Sequence, residues 1–276
     1  MKMLKSFFDF YIFSSIHVAM SAVSLSWITL LNFEISFQPT ILFFIFFATI
    51  TGYNFVKFFG LAKFHYRGLV PWLKAVQVLS LFSFLLMCFF AFGLKMITLV
   101  YIVGFGMLTF LYAVPFFPQH MFMDEQRNLR NIGGLKVYVI ALVWAGVTVL
   151  LPLINNGYVL NTDVWIVTAQ RFIFVVIIML PFEIRDLRYD SLKLATIPQK
   201  IGVMNTKIMG VLLGLIFILL EFLKDTLKIN QLIIALPIIF VALLLLIIAK
   251  KNQNSYYSSF WVESIPIFWL CLSMMF

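Results

Sequence analysis

A block of charged residues interrupts an otherwise apolar sequence between residues 183 and 190. Within these eight positions lie three carboxylic acids and two arginines, namely Glu183, Arg185, Asp186, Arg188 and Asp190. On a helix, Glu183 and Asp190 would lie within about 20° of each other and Asp186 about 60° away, whereas the arginines would point elsewhere. Carboxylates that share one face repel each other unless a cation lies among them. The spacing therefore favours a cation site at these three acids.

Magnesium is the cation that suits this set of acids. Mg²⁺ is a hard ion that takes carboxylate oxygens and commonly keeps water and phosphate oxygens as its other ligands. We therefore predict a magnesium site at Glu183, Asp186 and Asp190. The alternative interpretation is a solvated helix end, at which the acids pair with nearby basic residues.

The composition indicates the class of protein that must position these acids. The chain has 276 residues, of which 63% are hydrophobic and 11% are charged, and its mean hydropathy is +1.04. An ordinary soluble domain has about 25% charged residues. This composition therefore excludes a soluble globular protein and indicates a polytopic membrane protein. Both cysteines lie inside apolar runs, without the spacing of a disulfide or a metal site.

Nine apolar runs are long enough to cross a bilayer, which requires about 17 to 25 residues. Each span should be helical, because backbone polar groups inside a bilayer must be hydrogen-bonded internally. We therefore predict an all-α fold, a membrane bundle of nine transmembrane helices that forms a single domain over residues 1–276. The predicted spans are 10–31, 40–56, 72–92, 96–114, 135–153, 164–182, 207–223, 232–249 and 259–276.

Basic residues are divided unequally between the two sides of these spans. Of the 20 Lys and Arg residues, sixteen fall on the side of the amino terminus and three on the other, while Arg171 lies within the sixth span. Because Lys and Arg accumulate in cytoplasmic loops, we predict a protein of the cytoplasmic (inner) membrane with its amino terminus inside and its carboxyl terminus outside. The same distribution explains the net charge of +9 without a nucleic-acid partner.

The charged block and its surroundings resemble the second Asp-rich motif of the UbiA superfamily of intramembrane prenyltransferases. The pattern E-x-x-D-x-x-x-D follows Pro181 and Phe182, and T-I-P-x-x-x-G follows it at residues 196–202. The number of spans, the long inner loops after the second and sixth spans, and the segment LRNIGGLK at 129–136 are also similar to that family. The resemblance covers essentially the whole chain and is most specific over residues 181–202.

This resemblance implies an enzyme that transfers an isoprenyl group from its diphosphate to an apolar acceptor. In that family, two Asp-rich loops face each other across a cavity and hold Mg²⁺ ions, which bind the diphosphate. Loss of the diphosphate leaves an allylic cation-like carbon, which the acceptor attacks. The resemblance assigns metal binding and catalysis to Asp186 and Asp190, with Glu183 as a further ligand. Candidates for binding the diphosphate are Asn54, Lys57, Lys63, Arg67, Arg130, Lys136, Lys193 and Lys200.

The family's first motif, N-x-x-x-D-x-x-x-D, is degenerate in this chain. Asn54 is in register, but Phe58 and Ala62 stand where the two aspartates should be, and no acid occurs from residue 35 to residue 123. A basic cluster of Lys57, Lys63, His65 and Arg67 lies there instead. Aligning Phe58 with Asp186 and Ala62 with Asp190 gives one offset of 128, so we expect segments 54–67 and 183–196 to face one cavity.

Two functions are consistent with this departure. In the first, the basic cluster binds the diphosphate directly, one metal ion at Asp186 and Asp190 suffices, and Asp124 or Glu125 adds a ligand. In the second, catalysis has been lost, and the fold serves as a lipid-binding or assembly subunit. A transporter is disfavoured, because transporters place polar or broken helices near the midplane, whereas the ionisable residues here gather at the inner rim.

Some polar residues lie inside or at the edge of the predicted spans. His17 belongs to a polar face of the first span and would either form interhelical hydrogen bonds or line a cavity. Tyr112 would line the donor pocket or anchor the helix at the interface. Arg171 is a functional candidate by its position, or snorkels to the outer interface. Glu263, next to Trp261, is expected at the interface.

Overall fold

The computed structural model describes residues 2–58, 71–113, 134–189 and 195–275. These residues form helices and turns and contain no strand, which confirms the all-α prediction. A π-helical turn at Gly146–Leu150 joins α6 to α7, and another at Tyr257–Val262 precedes α11. The helices are α1 (Lys2–Phe13), α2 (Ile16–Asn32), α3 (Pro39–Phe58), α4 (Pro71–Ala91), α5 (Met96–Ala113), α6 (Leu135–Ala145), α7 (Leu151–Asn156), α8 (Thr162–Asp186), α9 (Ile197–Glu221), α10 (Ile229–Ile248) and α11 (Ile265–Ser273).

Among the described residues, seven helical segments are long and apolar enough to cross a membrane, or eight if the bent pair α1–α2 counts as one span. The seven overlap the second to eighth predicted spans, and the bent pair corresponds to the first. The seventh predicted start was wrong, because that helix begins at Ile197, ten residues before 207. The predicted ninth span, 259–276, is represented by the π turn and the nine-residue helix α11. The chain is thus an integral, multi-pass membrane protein, and the count of nine stays a prediction.

The first predicted span is not continuous, because the chain bends by 55° between α1 and α2. Ser15 at the break has a left-handed backbone, with φ of 70°. The break frees polar groups for α3: the Asn54 amide donates to the Ser14 carbonyl (3.0 Å), and the Ser15 hydroxyl donates to Asn54 Oδ1 (2.8 Å). Lys57 Nζ donates to the Ser15 hydroxyl at 2.9 Å. These tertiary hydrogen bonds replace the helical ones that are lost at the bend.

Helix α8 is central in the bundle and packs against α6, α9 and α10. Of the residues in the most apolar stretch of α8, 61% are buried inside the protein. The corresponding share is 11% in α4 and 11% in α5. Phe174, Ile177, Leu180 and Ile184 follow helical spacing and are completely buried. This apolar face fixes α8, and with it the charged residues at its carboxyl end.

The ends of the helices collect at two ends of the bundle. The site end contains the carboxyl ends of α3, α5 and α8, the start of α6 and the π turn before α11, as shown by contacts such as Lys136–Glu183 and His17–Phe260. The far end contains the carboxyl end of α2 and the start of α10, joined by Lys228 and Asn32. The described acids Glu183 and Asp186 and the amide of Asn54 therefore lie at one end.

The T-I-P-x-x-x-G tail of the charged block has a structural role at the start of α9. The Thr196 backbone N–H donates to Gln199 Oε1 at 3.0 Å, and Pro198 lies in the first turn, where its missing N–H costs nothing. Gly202 has φ of 81° and interrupts the helix. Glycine suits this position because a side chain disfavours the left-handed conformation. The tail thus specifies a capped, broken helix.

Candidate functional site

Lys136 joins the two described acids of the charged block. It is the second residue of α6, after Leu135. Gly134 precedes the helix, and its positive φ of 78° turns the chain into it. Its Nζ lies 3.0 Å from Glu183 Oε1 and 3.6 Å from Asp186 Oδ2. The Glu183 side chain is only 1% exposed, whereas the Lys136 and Asp186 side chains are about one fifth exposed. An ammonium group therefore lies between the two carboxylates.

Arg185 also pairs with the acids, which differs from the expected arrangement. Its Nε and Nη2 both lie 2.8 Å from Asp186 Oδ1, and its Nη1 is 3.4 Å from Ser259 Oγ. The helical wheel placed the arginine away from the acidic face. The long guanidinium side chain reaches its neighbour because α8 ends at Asp186 and leaves room for it to fold back.

Glu263 brings a third carboxylate to this end of the bundle. Its side chain is partly buried and interacts electrostatically with Lys57 of α3 and with Arg185 of α8. Trp261, two residues earlier, is 61% exposed. Trp261 is thus exposed, as an interfacial residue should be, whereas the Glu263 side chain faces the interior of the bundle. Lys57 belongs to segment 54–67 and Arg185 to segment 183–196, so the described parts of both segments lie near Glu263.

Two tyrosines lie near these charged side chains. Tyr53 accepts a hydrogen bond from Trp144 Nε1 at 2.8 Å and interacts electrostatically with Glu263 and Tyr112. Tyr112, which is 5% exposed, interacts in turn with Lys136. Together these groups form what we call the polar ring: Tyr53, Lys57, Tyr112, Lys136, Glu183, Arg185, Asp186 and Glu263.

Asn54 and His17 lie beside the polar ring and are held by hydrogen bonds. The Asn54 amide also donates to Ser80 Oγ at 2.9 Å, which links α3 to α4. His17 is 2% exposed. Its Nδ1 lies 2.8 Å from the Tyr11 hydroxyl, and its Nε2 lies 3.1 Å from the Phe260 carbonyl. His17 therefore forms the interhelical hydrogen bonds that were one of the two expectations.

Several predicted residues fall outside the part of the chain that the structure describes. Lys200 is described: its Nζ lies near Gly134, at the start of α6. The predicted residues outside the described ranges are Ala62, Lys63, His65, Arg67, Asp124, Glu125, Arg130, Asp190 and Lys193. Their roles stay predictions.

The described residues do not by themselves fit a Mg²⁺ ion. No group of three or more His, Cys, Asp or Glu side chains in residues 2–58, 71–113, 134–189 and 195–275 is arranged to hold a metal. Glu183 and Asp186 already bind Lys136, and Asp186 also binds Arg185. The polar ring contains three basic side chains and three carboxyl groups. The pairing of the alternative interpretation thus occurs at Glu183 and Asp186, although Glu183 is buried and not solvated, whereas a metal would depend on Asp190.

Sequence reasoning missed Glu263 as a member of this site, although the sequence carried a signal for it. Glu263 is the only acidic residue after Asp225. A lone acid within an apolar membrane segment is by default a candidate functional residue. Its neighbours come from α3 and α8, which are remote in the sequence, so only the fold could identify them.

Comparison with known proteins agrees with the fold. No protein-family model and no curated protein matches this sequence. Among solved structures, the chain is similar to a UbiA homolog from Archaeoglobus fulgidus bound to GPP and Mg²⁺, with a TM-score of 0.65 and 13% sequence identity. The similarity covers 97% of this chain and 98% of that chain. The fold is therefore UbiA-like, as the charged block had suggested.

Proposed function

We propose that this protein binds an isoprenyl diphosphate at the polar ring and transfers the isoprenyl group to an apolar acceptor. The observation that carries the proposal is the convergence of Lys57, Lys136 and Arg185 from three helices at one end of a UbiA-like bundle. Cationic side chains hold phosphate oxygens through charge-assisted hydrogen bonds. The GPP bound to the similar archaeal structure is an isoprenyl diphosphate, which supports this class of ligand.

The charges of the polar ring indicate how a diphosphate would be held. The ring contains as many acidic as basic side chains, so a diphosphate adds negative charge that other groups must balance. The three segments 59–70, 114–133 and 190–194 contain five Lys or Arg and three Asp or Glu residues, a net charge of +2. We infer that these segments supply further cations, chiefly Lys63 and Arg67, and that binding displaces Glu263 from Lys57 and Arg185.

The transfer step uses chemistry that the ring can support. The bond between the isoprenyl C1 and the diphosphate oxygen breaks, and the diphosphate leaves with the electron pair. The acceptor then forms a bond to the allylic cation and releases a proton. Aromatic faces stabilise cations, and the hydrogen bond from Trp144 fixes Tyr53 at the ring. We infer that Tyr53 and Tyr112 lie along the isoprenyl chain, while Lys57 and Arg185 hold the leaving group.

A noncatalytic lipid-binding or assembly subunit is the second candidate. It is favoured by Phe58 and Ala62, which offer no ligand atoms where the similar family has aspartates. It is also favoured by the ion pairs of Glu183 and Asp186 with Lys136, which give both acids a structural role. In this alternative, a diphosphate or a lipid head group binds without reacting.

Binding of farnesyl diphosphate to the purified full-length protein in detergent micelles tests the site. We expect Lys57→Met and Arg185→Met each to weaken binding about ten- to a hundredfold, since a hydrogen bond to a charged group contributes about 1.5–3 kcal/mol. Lys228→Met, at the far end of the bundle, is the matched control and should bind as the wild type does. Equal affinity in all four proteins would reject the polar ring as the binding site.

The metal and the reaction require separate measurements. We expect a chelator to weaken binding, and Asp186→Ala to remove most of that Mg²⁺ dependence; binding that ignores both changes would reject a metal at Asp186. Release of inorganic diphosphate in the presence of membrane lipid acceptors distinguishes the two candidate functions. A transferase releases it with each turnover, whereas the noncatalytic subunit binds the donor and releases none.

A further inference from the structure

A second polar region lies in the far half of the bundle, around Arg171 of α8. Arg171 precedes Glu183 by twelve residues, which corresponds to about 18 Å along a helix, so it is separate from the polar ring. It is only 2% exposed, and the snorkelling considered from the sequence does not occur. A guanidinium buried among membrane helices is unfavourable unless other groups compensate its charge.

The described neighbours of Arg171 satisfy only part of its guanidinium. Nη2 lies 3.3 Å from Thr29 Oγ1, which can accept because the Thr29 hydroxyl donates to the Thr148 carbonyl at 2.8 Å. The guanidinium carbon lies 5.3 Å from the centre of the Trp269 ring. Nη1 is buried and has no hydrogen-bond partner among the described residues. Two strong donors on Nη1 are therefore left for another group.

Arg171 lines a cavity of about 30 Å³ together with Gln170, Phe217, Glu221, Lys224 and Trp269. A single water molecule requires about 10–15 Å³ of such volume, so the cavity accommodates one small ion. Both oxygens of Glu221 are already engaged, one with Lys224 at 2.6 Å and the other with Gln170 at 2.8 Å. Glu221 thus balances Lys224, and the positive charge of Arg171 is left over.

We propose that this cavity binds a small monovalent anion against Arg171 Nη1. The single excess positive charge sets the charge of the ligand, and the volume limits it to a halide or a carboxylate group. The anion accepts from the unpaired donors, and its charge compensates the buried guanidinium. Arg171 links α8 to α2 and α11 through Thr29 and Trp269, so an anion that compensates its charge stabilises the far half of the bundle.

The test is thermal unfolding of the purified full-length protein in detergent micelles as sodium isethionate, a bulkier anion without a carboxylate, is replaced by sodium chloride. Constant ionic strength removes general screening from the comparison. A ligand that binds only the folded state stabilises it increasingly with concentration, so the wild-type midpoint should rise with chloride. Sodium formate in place of chloride tests the carboxylate, the group carried by free fatty acids. A midpoint that responds to neither anion overturns the proposal.

Variants assign the response to Arg171. Arg171→Met keeps the length of the side chain without its charge, and its unfolding midpoint should not depend on either anion. Lys228→Met removes an exposed cation from the same end and should respond as the wild type does. An identical rise in Arg171→Met and the wild type would show that the anion acts elsewhere.

Tryptophan emission gives a second measurement that does not depend on whether Arg171→Met folds. An anion beside Arg171 changes the surroundings of Trp269, so wild-type emission should change saturably with chloride or formate. Trp269→Phe should lose this change while its unfolding midpoint still rises. A linear emission response, or one that Trp269→Phe retains, overturns the placement of the anion. None of these outcomes depends on diphosphate binding at the polar ring.

Discussion

Replacement of Lys136 by methionine tests whether its ammonium stabilises the acids of α8. The Coulomb attraction at 3.0 Å and 3.6 Å is about 5.5 and about 4.6 kcal/mol at an effective dielectric constant of about 20. Desolvation of the ammonium and of Glu183 offsets much of this attraction. Removing one partner of a buried pair costs about 3–5 kcal/mol, so we expect Lys136→Met to lower the free energy of unfolding by about 3 kcal/mol.

The assay is reversible unfolding in mixed micelles, followed by tryptophan fluorescence. Lys200→Met is the matched control, since Lys200 is exposed near the start of α6 and surface substitutions usually change stability by less than about 0.5 kcal/mol. The double mutant Lys136→Met/Glu183→Gln should recover about 2 kcal/mol of the unfolding free energy lost in Lys136→Met, because a neutral amide no longer needs the ammonium. Such non-additivity is typical of residues in contact. The reasoning fails if Lys136→Met costs no more than Lys200→Met, or if the two changes are additive.

Three further substitutions test other features. Gly202→Ala should destabilise the protein by about 1–2 kcal/mol, because a side chain disfavours the φ of 81° at this position. Gly52→Ala also has open space around the added Cβ and should stabilise α3 by up to about 1 kcal/mol. Thermal unfolding midpoints that change in the same direction for both variants would contradict this. Asn54→Ala removes two buried hydrogen bonds and one partly buried one and should cost about 2–3 kcal/mol in the same unfolding assay, while Ser36→Ala, at an exposed position, should be neutral; equal effects would argue against the Asn54 network. Glu263→Gln removes the carboxyl group beside Lys57 and Arg185 and should tighten farnesyl diphosphate binding several-fold in a titration at pH 9, where the buried carboxyl is mostly ionised because its pKa is raised only to about 8; unchanged or weaker binding would refute the competition between Glu263 and the diphosphate.

The sequence alone determined the class of the fold and the position of its charged end. Apolar runs of bilayer length must be helical, because lipid offers no hydrogen-bond partners to an exposed backbone. This constraint is local to each run, so seven of the predicted spans overlap helices of the structure. The charged block could be located for a similar reason, since charges are expensive inside a bilayer and collect at the ends of spans.

Only the tertiary structure decided which charged groups meet. Lys136 and Glu183 are 47 positions apart in the chain, and Glu263 approaches Lys57 from the opposite end of the sequence. The break at Ser15 likewise depends on Asn54, whose amide takes the hydrogen bonds that the bend makes available. Helical periodicity assigns a residue to a face of its own helix, but the partner of that face depends on how the helices pack. In this protein, packing paired Glu183 and Asp186 with Lys136, a contact that the spacing along α8 alone could not specify.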